Sequence, residues 1–131
     1  MNGLLYVALG GALGASGRHL LGGLALRMFG PGYPYGTLVV NVLGGLLMGL
    51  LVGWLALKGS ALAGGAANLR LFLAVGVLGG FTTFSAFSLD AMRMLETRAY
   101  GAALGYISAS VILSILALFI GLVIGRKVFT P

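Results

Sequence analysis

The residues best suited to chemistry lie in the third apolar stretch of the chain, in the run Gly79-Gly80-Phe81-Thr82-Thr83-Phe84-Ser85-Ala86-Phe87-Ser88. Two adjacent glycines and two β-branched threonines all lower helix propensity, so we expect the helix to be broken at Gly79-Gly80. A break in lipid frees carbonyl groups that must be buried or occupied, and broken spanning helices commonly place them near a cation. Phe84 and Phe87 share a face after the break. Their ring edges carry partial positive charge that suits an anion, although ordinary core packing explains the same spacing.

Two stripes of hydrogen-bonding side chains lie in the second and fourth apolar stretches. Thr37 and Asn41 are one helical turn apart, and Tyr106, Ser110 and Ser114 follow the spacing i, i+4, i+8 on one predicted face. Hydroxyl and amide groups can donate hydrogen bonds to an anion, which suits a pore wall. Two alternatives stay open: the amide joins two helices, and the serines bond back to carbonyls one turn earlier.

Charged side chains are scarce, and their positions exclude several classes of protein. Arg18 lies about 14 Å inside the first apolar stretch, where it either reaches the interface or gives a vestibule a positive potential. Asp90 and Glu96 are the only acidic residues, and both follow the predicted break. A proton-coupled exporter would therefore lack its membrane carboxylate. The sequence has no cysteine, nucleophile–base pair, phosphate loop or metal cluster, so we do not expect an enzyme.

The elements that must position these residues are apolar helices. The 131 residues are 60% hydrophobic and 8% charged, whereas soluble domains carry roughly a quarter charged residues. A spanning helix needs about 20 apolar residues, so the chain holds four spans and no separate soluble domain. We therefore predict an all-α membrane protein with one four-span domain, residues 1–131, with spans at about 3–29, 36–57, 69–94 and 101–124.

Basic residues are nearly balanced between the two sides of such a membrane domain. One side carries four of them and the other carries three, or four if Arg18 reaches that interface: Lys58, Arg70, Arg126 and Lys127 against Arg27, Arg93 and Arg98. Orientation follows the Lys/Arg bias, so the chain is expected to insert both ways and to pair as an antiparallel homodimer, unless one residue or a lipid factor decides. No larger basic cluster is present, and we expect lipid headgroups rather than nucleic acid as partners.

Three motifs together resemble the CrcB/Fluc family of fluoride channels. They are Gly14-Ala15-Ser16-Gly17-Arg18-His19, then Gly36-Thr37-Leu38-Val39-Val40-Asn41 with Gly44-Gly45, and the run 79–88. The similarity extends from about Gly10 to Ser114, and the third motif is the most specific. One departure is Ala86, where the family usually has Thr.

The resemblance implies a function, an assembly and a set of site residues. It implies a dual-topology homodimer with two antiparallel pores, in the cell (inner) membrane, through which fluoride leaves the cytoplasm passively. It implies a fluoride pathway along Thr37, Asn41, Phe84, Phe87, Tyr106, Ser110 and Ser114. It also implies a vestibule at Arg18, no organic cofactor, and a structural sodium ion at the dimer centre on the backbone carbonyls of Gly79 and Thr82. A non-conducting helix-bundle scaffold and a small organic-cation exporter remain as alternatives.

Overall fold

The computed structural model describes residues 2–58, 62 and 64–128, and their regular structure is entirely helical. The prediction of an all-α fold is confirmed. The third of four helical segments is interrupted, so we number five helices, with α3 (residues 65–81) containing a π-helical middle. They are α1 (Asn2–Phe29), α2 (Tyr35–Lys58), α3 (Gly65–Arg70, Leu71–Leu78 and Gly79–Phe81), α4 (Phe84–Glu96) and α5 (Tyr100–Val128).

Among the described residues, three stretches are long and apolar enough to cross a membrane: Tyr35–Lys58, Gly65–Glu96 and Tyr100–Val128. The second of these joins α3 and α4 across the interruption. Helix α1 is 28 residues long but is not among the three, because Arg18 and His19 lower its mean hydropathy. A fourth span formed by α1 therefore stays a prediction.

The interruption of the third segment lies at Thr82 and Thr83, where the backbone is extended (φ −85°, ψ 156° and φ −151°, ψ 114°). The predicted position, Gly79-Gly80, is wrong because both glycines remain helical. Gly80 instead serves close packing, since a Cβ added there would lie 2.7 Å from the carbonyl oxygen of Gly11 in α1. β-branched threonines suit extended backbone, and the break forms there.

Helices α2 and α5 run parallel and touch through glycines along most of their length. A Cβ added at Gly45 would lie 2.8 Å from the carbonyl oxygen of Ser114, and one added at Gly53 would lie 3.1 Å from the backbone nitrogen of Arg126. Small residues allow the backbones of membrane helices to approach this closely. The pair forms the wall from which Asn41 and the serines of α5 project.

Replacing Gly49 with alanine is expected to destabilise the α2–α5 pair by about 1–3 kcal/mol, the usual cost of overpacking. The added Cβ would overlap the carbonyl oxygen of Leu118 and lie 2.7 Å from the backbone nitrogen of Leu122. Thermal unfolding in detergent measures the effect. Gly101 is the matched control, because it lies in α5 with nothing within 4 Å of the place that an added Cβ would take, and alanine there gains up to about 1 kcal/mol of helix propensity. Equal unfolding temperatures for the two variants would contradict the packing argument.

Candidate functional site

Asn41 of α2 holds the interruption between α3 and α4 with both ends of its side-chain amide. Its Oδ1 accepts a hydrogen bond from the backbone N–H of Thr83 at 2.7 Å, and its Nδ2 donates to the carbonyl oxygen of Thr83 at 3.0 Å. In extended backbone the N–H and C=O of one residue point to the same side, so a single amide can pair with both. One N–H of Nδ2 remains for another acceptor. Asn41 thus orients the break and keeps a donor.

Thr83 turns the chain from extended backbone into α4. Its Oγ1 accepts from the backbone N–H of Ala86 at 3.1 Å, which is an N-cap interaction. The residue is only 7% exposed, so its backbone groups need the partners that Asn41 provides. The cap fixes the first turn of α4, which carries Phe84 and Phe87. The position of the two rings therefore depends on Asn41 and Thr83 together.

A groove of about 440 Å³ lies beside the break. It is lined by Asn41, Gly44, Gly45, Met48, Thr82, Thr83, Phe84, Phe87, Ser110, Val111, Ser114, Ile115 and Leu118. The rings of Phe84 and Phe87 are 5.5 Å apart between centroids and tilted by 48°. Phe87 is buried, whereas Phe84 is 78% exposed. The groove brings together five of the seven residues predicted for an ion pathway, and it carries no charged side chain.

Ser110 and Ser114 present hydroxyl groups without a hydrogen-bond partner. Both Oγ atoms are buried, and within the part of the chain that the structure describes neither has a partner. Native proteins pair nearly all buried polar atoms, so an unpaired one needs an explanation such as a missing water or ion. The bonds back to carbonyls one turn earlier, which sequence reasoning left open, are not made. Each of the two hydroxyls therefore keeps an unused donor, and both residues line the groove.

Tyr106 lies on α5 but does not line the groove. It is fully buried, its ring is 5.3 Å from that of Phe87, and its hydroxyl donates to Asp90 Oδ2 at 3.1 Å. Thr37 and Asp90 line a second cavity of about 480 Å³ beneath the α1–α2 turn, where the ring of Tyr33 packs edge-on against Tyr106. Sequence reasoning missed Asp90 as a partner of Tyr106, although its place three residues after Phe87 puts it on the same face of α4.

The break also frees two backbone oxygens, those of Gly79 and Thr82. The N–H of Thr83 donates to Asn41 rather than to the carbonyl of Gly79 four residues earlier, and the N–H of Ala86 donates to Thr83 Oγ1 rather than to the carbonyl of Thr82. Within the described ranges these two carbonyls have no backbone partner. They are the two groups predicted to hold sodium, and hard cations prefer such oxygens.

Arg18 lines neither cavity. It is half-buried on α1, one residue after Gly17, whose added Cβ would contact the ring of Phe81 at 3.7 Å. This places Arg18 at the depth of the break, on a helix that contributes no residue to the groove. Its role at a vestibule stays a prediction.

Comparison with known proteins connects this geometry to a family. Residues 5–122 match the family model described as "CrcB-like protein, Camphor Resistance (CrcB)". The chain is 57% identical over 130 residues to the "Fluoride-specific ion channel FluC" of Caulobacter sp. (strain K31), covering 99% of both chains. It is 48% identical over 129 residues to the protein of that name in Agrobacterium fabrum (strain C58 / ATCC 33970), covering 98% of this chain and all of the relative.

These similarities extend over nearly the whole chain and include every part of the groove. The resemblance drawn from the three motifs is confirmed, and so is the expectation that the chain is not an enzyme, because the relatives are named as ion channels. The multiple apolar helices agree with a membrane location. The chain belongs to the CrcB family of membrane proteins.

Proposed function

We propose that this chain is a passive fluoride-selective ion channel and that the groove beside the break is its ion pathway. The observation that carries the proposal is the pair of unpartnered hydroxyls on Ser110 and Ser114. They belong to two residues that line an uncharged groove, whose other walls carry the Asn41 amide and two phenylalanine rings. The near full-length identity to proteins named as fluoride-specific channels supports the same ion.

The chemistry of the groove suits a small, strongly hydrated anion. Such an ion enters only where short-range donors replace its water, and hydroxyls, one amide N–H and the positive ring edges of Phe84 and Phe87 are donors of this kind. A full positive charge in the path would bind the ion too tightly for rapid exit. Neutral donors thus favour binding and still permit release.

We propose that two copies pair in antiparallel orientation and that each contributes to two pores. The groove is open on the side where Phe84 is 78% exposed, so a second copy would close it, and the near balance of Lys and Arg is compatible with insertion in both directions. At the centre, the carbonyls of Gly79 and Thr82 from both subunits would hold a structural sodium ion, whose charge would neutralise the freed oxygens.

The remaining predicted residues extend the pathway beyond the groove. Thr37 lines the second cavity beside Asp90, and Tyr106 lies between the two cavities with its hydroxyl on Asp90. An ion leaving the serines would meet Thr37 and Tyr106 next, and Tyr106 would donate to it only after its hydroxyl leaves Asp90. Arg18 would raise the local anion concentration through its long-range potential, and α1 would form the fourth span.

Purified protein in liposomes tests the proposal directly. Vesicles loaded with fluoride are expected to release it when the membrane potential is clamped with valinomycin, whereas vesicles loaded with chloride are expected to behave like protein-free controls. An ion-selective electrode follows both. Equal release of chloride would contradict fluoride selectivity, and release of neither ion by folded protein would favour a non-conducting scaffold.

A further inference from the structure

The two ends of the helix bundle differ in charge. Helix α1 runs antiparallel to α2, because they are joined by the short turn at 30–34 and a Cβ added at Gly36 would lie 3.2 Å from the Cα of Gly22. Helix α1 runs parallel to α3, because an added Cβ would lie 3.2 Å from the side chain of Leu71 at Gly3 and 2.8 Å from the backbone nitrogen of Phe81 at Gly14. With α5 parallel to α2, the start of α1, the end of α2, the start of α3 and the end of α5 lie together. We call this the basic end.

The basic end carries four cationic side chains and no acidic one: Lys58, Arg70, Arg126 and Lys127. The opposite end carries three cations, but also both acidic residues of the sequence: Arg27, Arg93 and Arg98 with Asp90 and Glu96. The side-chain charge is therefore +4 at one end and +1 at the other. The numbers of Lys and Arg are nearly balanced, but the net charges are not.

Three of the four cations lie on two helices that stay in contact up to their last turns. A Cβ added at Gly125 would lie 3.3 Å from the Cα of Gly53, and Lys58 and Lys127 follow within two turns. Arg126 and Lys127 are exposed and Lys58 is half-buried. Trp54 lies in the same region of α2, and tryptophan is enriched at the level of the lipid headgroups.

We propose that the ends of α2 and α5 bind the phosphate of an anionic phospholipid through Lys58 and Lys127, next to Arg126. Guanidinium and ammonium groups are the usual partners of phosphate, and neighbouring cations at the membrane surface add their attraction. Cations also favour helix C-termini through the helix dipole, which accounts for Arg27 at the end of α1 as well. The helix dipole does not explain why both acidic residues of the sequence lie at the end opposite to the basic end.

Native mass spectrometry of the full-length protein in detergent tests the proposal with phosphatidylglycerol and phosphatidylcholine of equal chain length. The wild type is expected to retain phosphatidylglycerol preferentially. Lys58→Gln with Lys127→Gln is expected to weaken this preference about five-fold for each removed charge, the equivalent of about 1 kcal/mol. The control, Arg27→Gln with Arg98→Gln at the opposite end, removes the same net charge and is expected to keep the preference.

Three outcomes would overturn the proposal. The first is a wild type that shows no preference for phosphatidylglycerol, and the second is a Lys58 and Lys127 variant that keeps the wild-type preference. The third is an equal loss of the preference in both double variants, which would indicate a general effect of net charge. The single variant Lys127→Gln, at an exposed position, guards against loss of fold and is expected to lose about five-fold alone. The binding readout is independent of fluoride release, so its failure and a failure of conduction are distinguishable.

Discussion

Asn41→Ala is expected to reduce fluoride release from proteoliposomes at least about ten-fold and to lower the unfolding temperature. The substitution removes both hydrogen bonds to Thr83 and leaves a buried N–H and C=O unpaired, at about 1–3 kcal/mol each. The extended backbone between α3 and α4 then loses its register, and Phe84 and Phe87 move with the first turn of α4. Flux is followed by electrode and unfolding by circular dichroism in detergent.

The stability readout separates two roles for Asn41. A side chain that only contacted the ion would change flux and leave the unfolding temperature where it was, whereas a side chain that holds the break changes both. Asn68→Ala is the matched control, because Asn68 is exposed on α3, and neither measurement is expected to change there. Full flux and an unaltered unfolding temperature in Asn41→Ala would contradict the assignment of the break to this amide.

The position of the break could not be predicted from the local sequence. Helix propensity places the weak point at Gly79-Gly80, but Gly80 is used for backbone contact with Gly11 in α1 and stays helical. The chain leaves the helix at Thr82 and Thr83 because Asn41, 42 residues earlier, supplies partners for an extended residue. That partner comes from another helix, and no property of the local run predicts it.

The predicted stripe on α5 is only partly correct, because Ser110 and Ser114 line the groove but Tyr106 does not. An α-helix turns about 100° per residue, so each step of four residues drifts by about 40°. Tyr106 and Ser114 are therefore about 80° apart, which allows Tyr106 to face Asp90 while Ser110 and Ser114 face the groove. The residue types and the all-helical fold follow from the sequence. The direction of each side chain depends on how α4 packs on α5.

Ser110→Ala and Ser114→Ala are expected to lower fluoride release several-fold without lowering stability, which is the reverse of what a structural serine does. Each hydroxyl is buried without a partner in the described part of the chain, and such a group costs about 1–3 kcal/mol. Its removal is therefore neutral or stabilising for the folded state. The same removal takes away a donor from the proposed pathway, so an ion in the groove recovers less of its hydration energy.

Ser108→Ala provides the control on the same helix, since Ser108 lies about 200° around α5 from Ser110 and does not line the groove. Its flux is expected to match the wild type. If the Ser110 and Ser114 variants unfold at lower temperature, the hydroxyls have a structural partner and the argument from unpaired atoms is wrong. If they keep full flux, the groove is not the pathway. Hydroxyls that serve as partners of a passing ion predict one combination of results. Fluoride release falls, and the unfolding temperature does not.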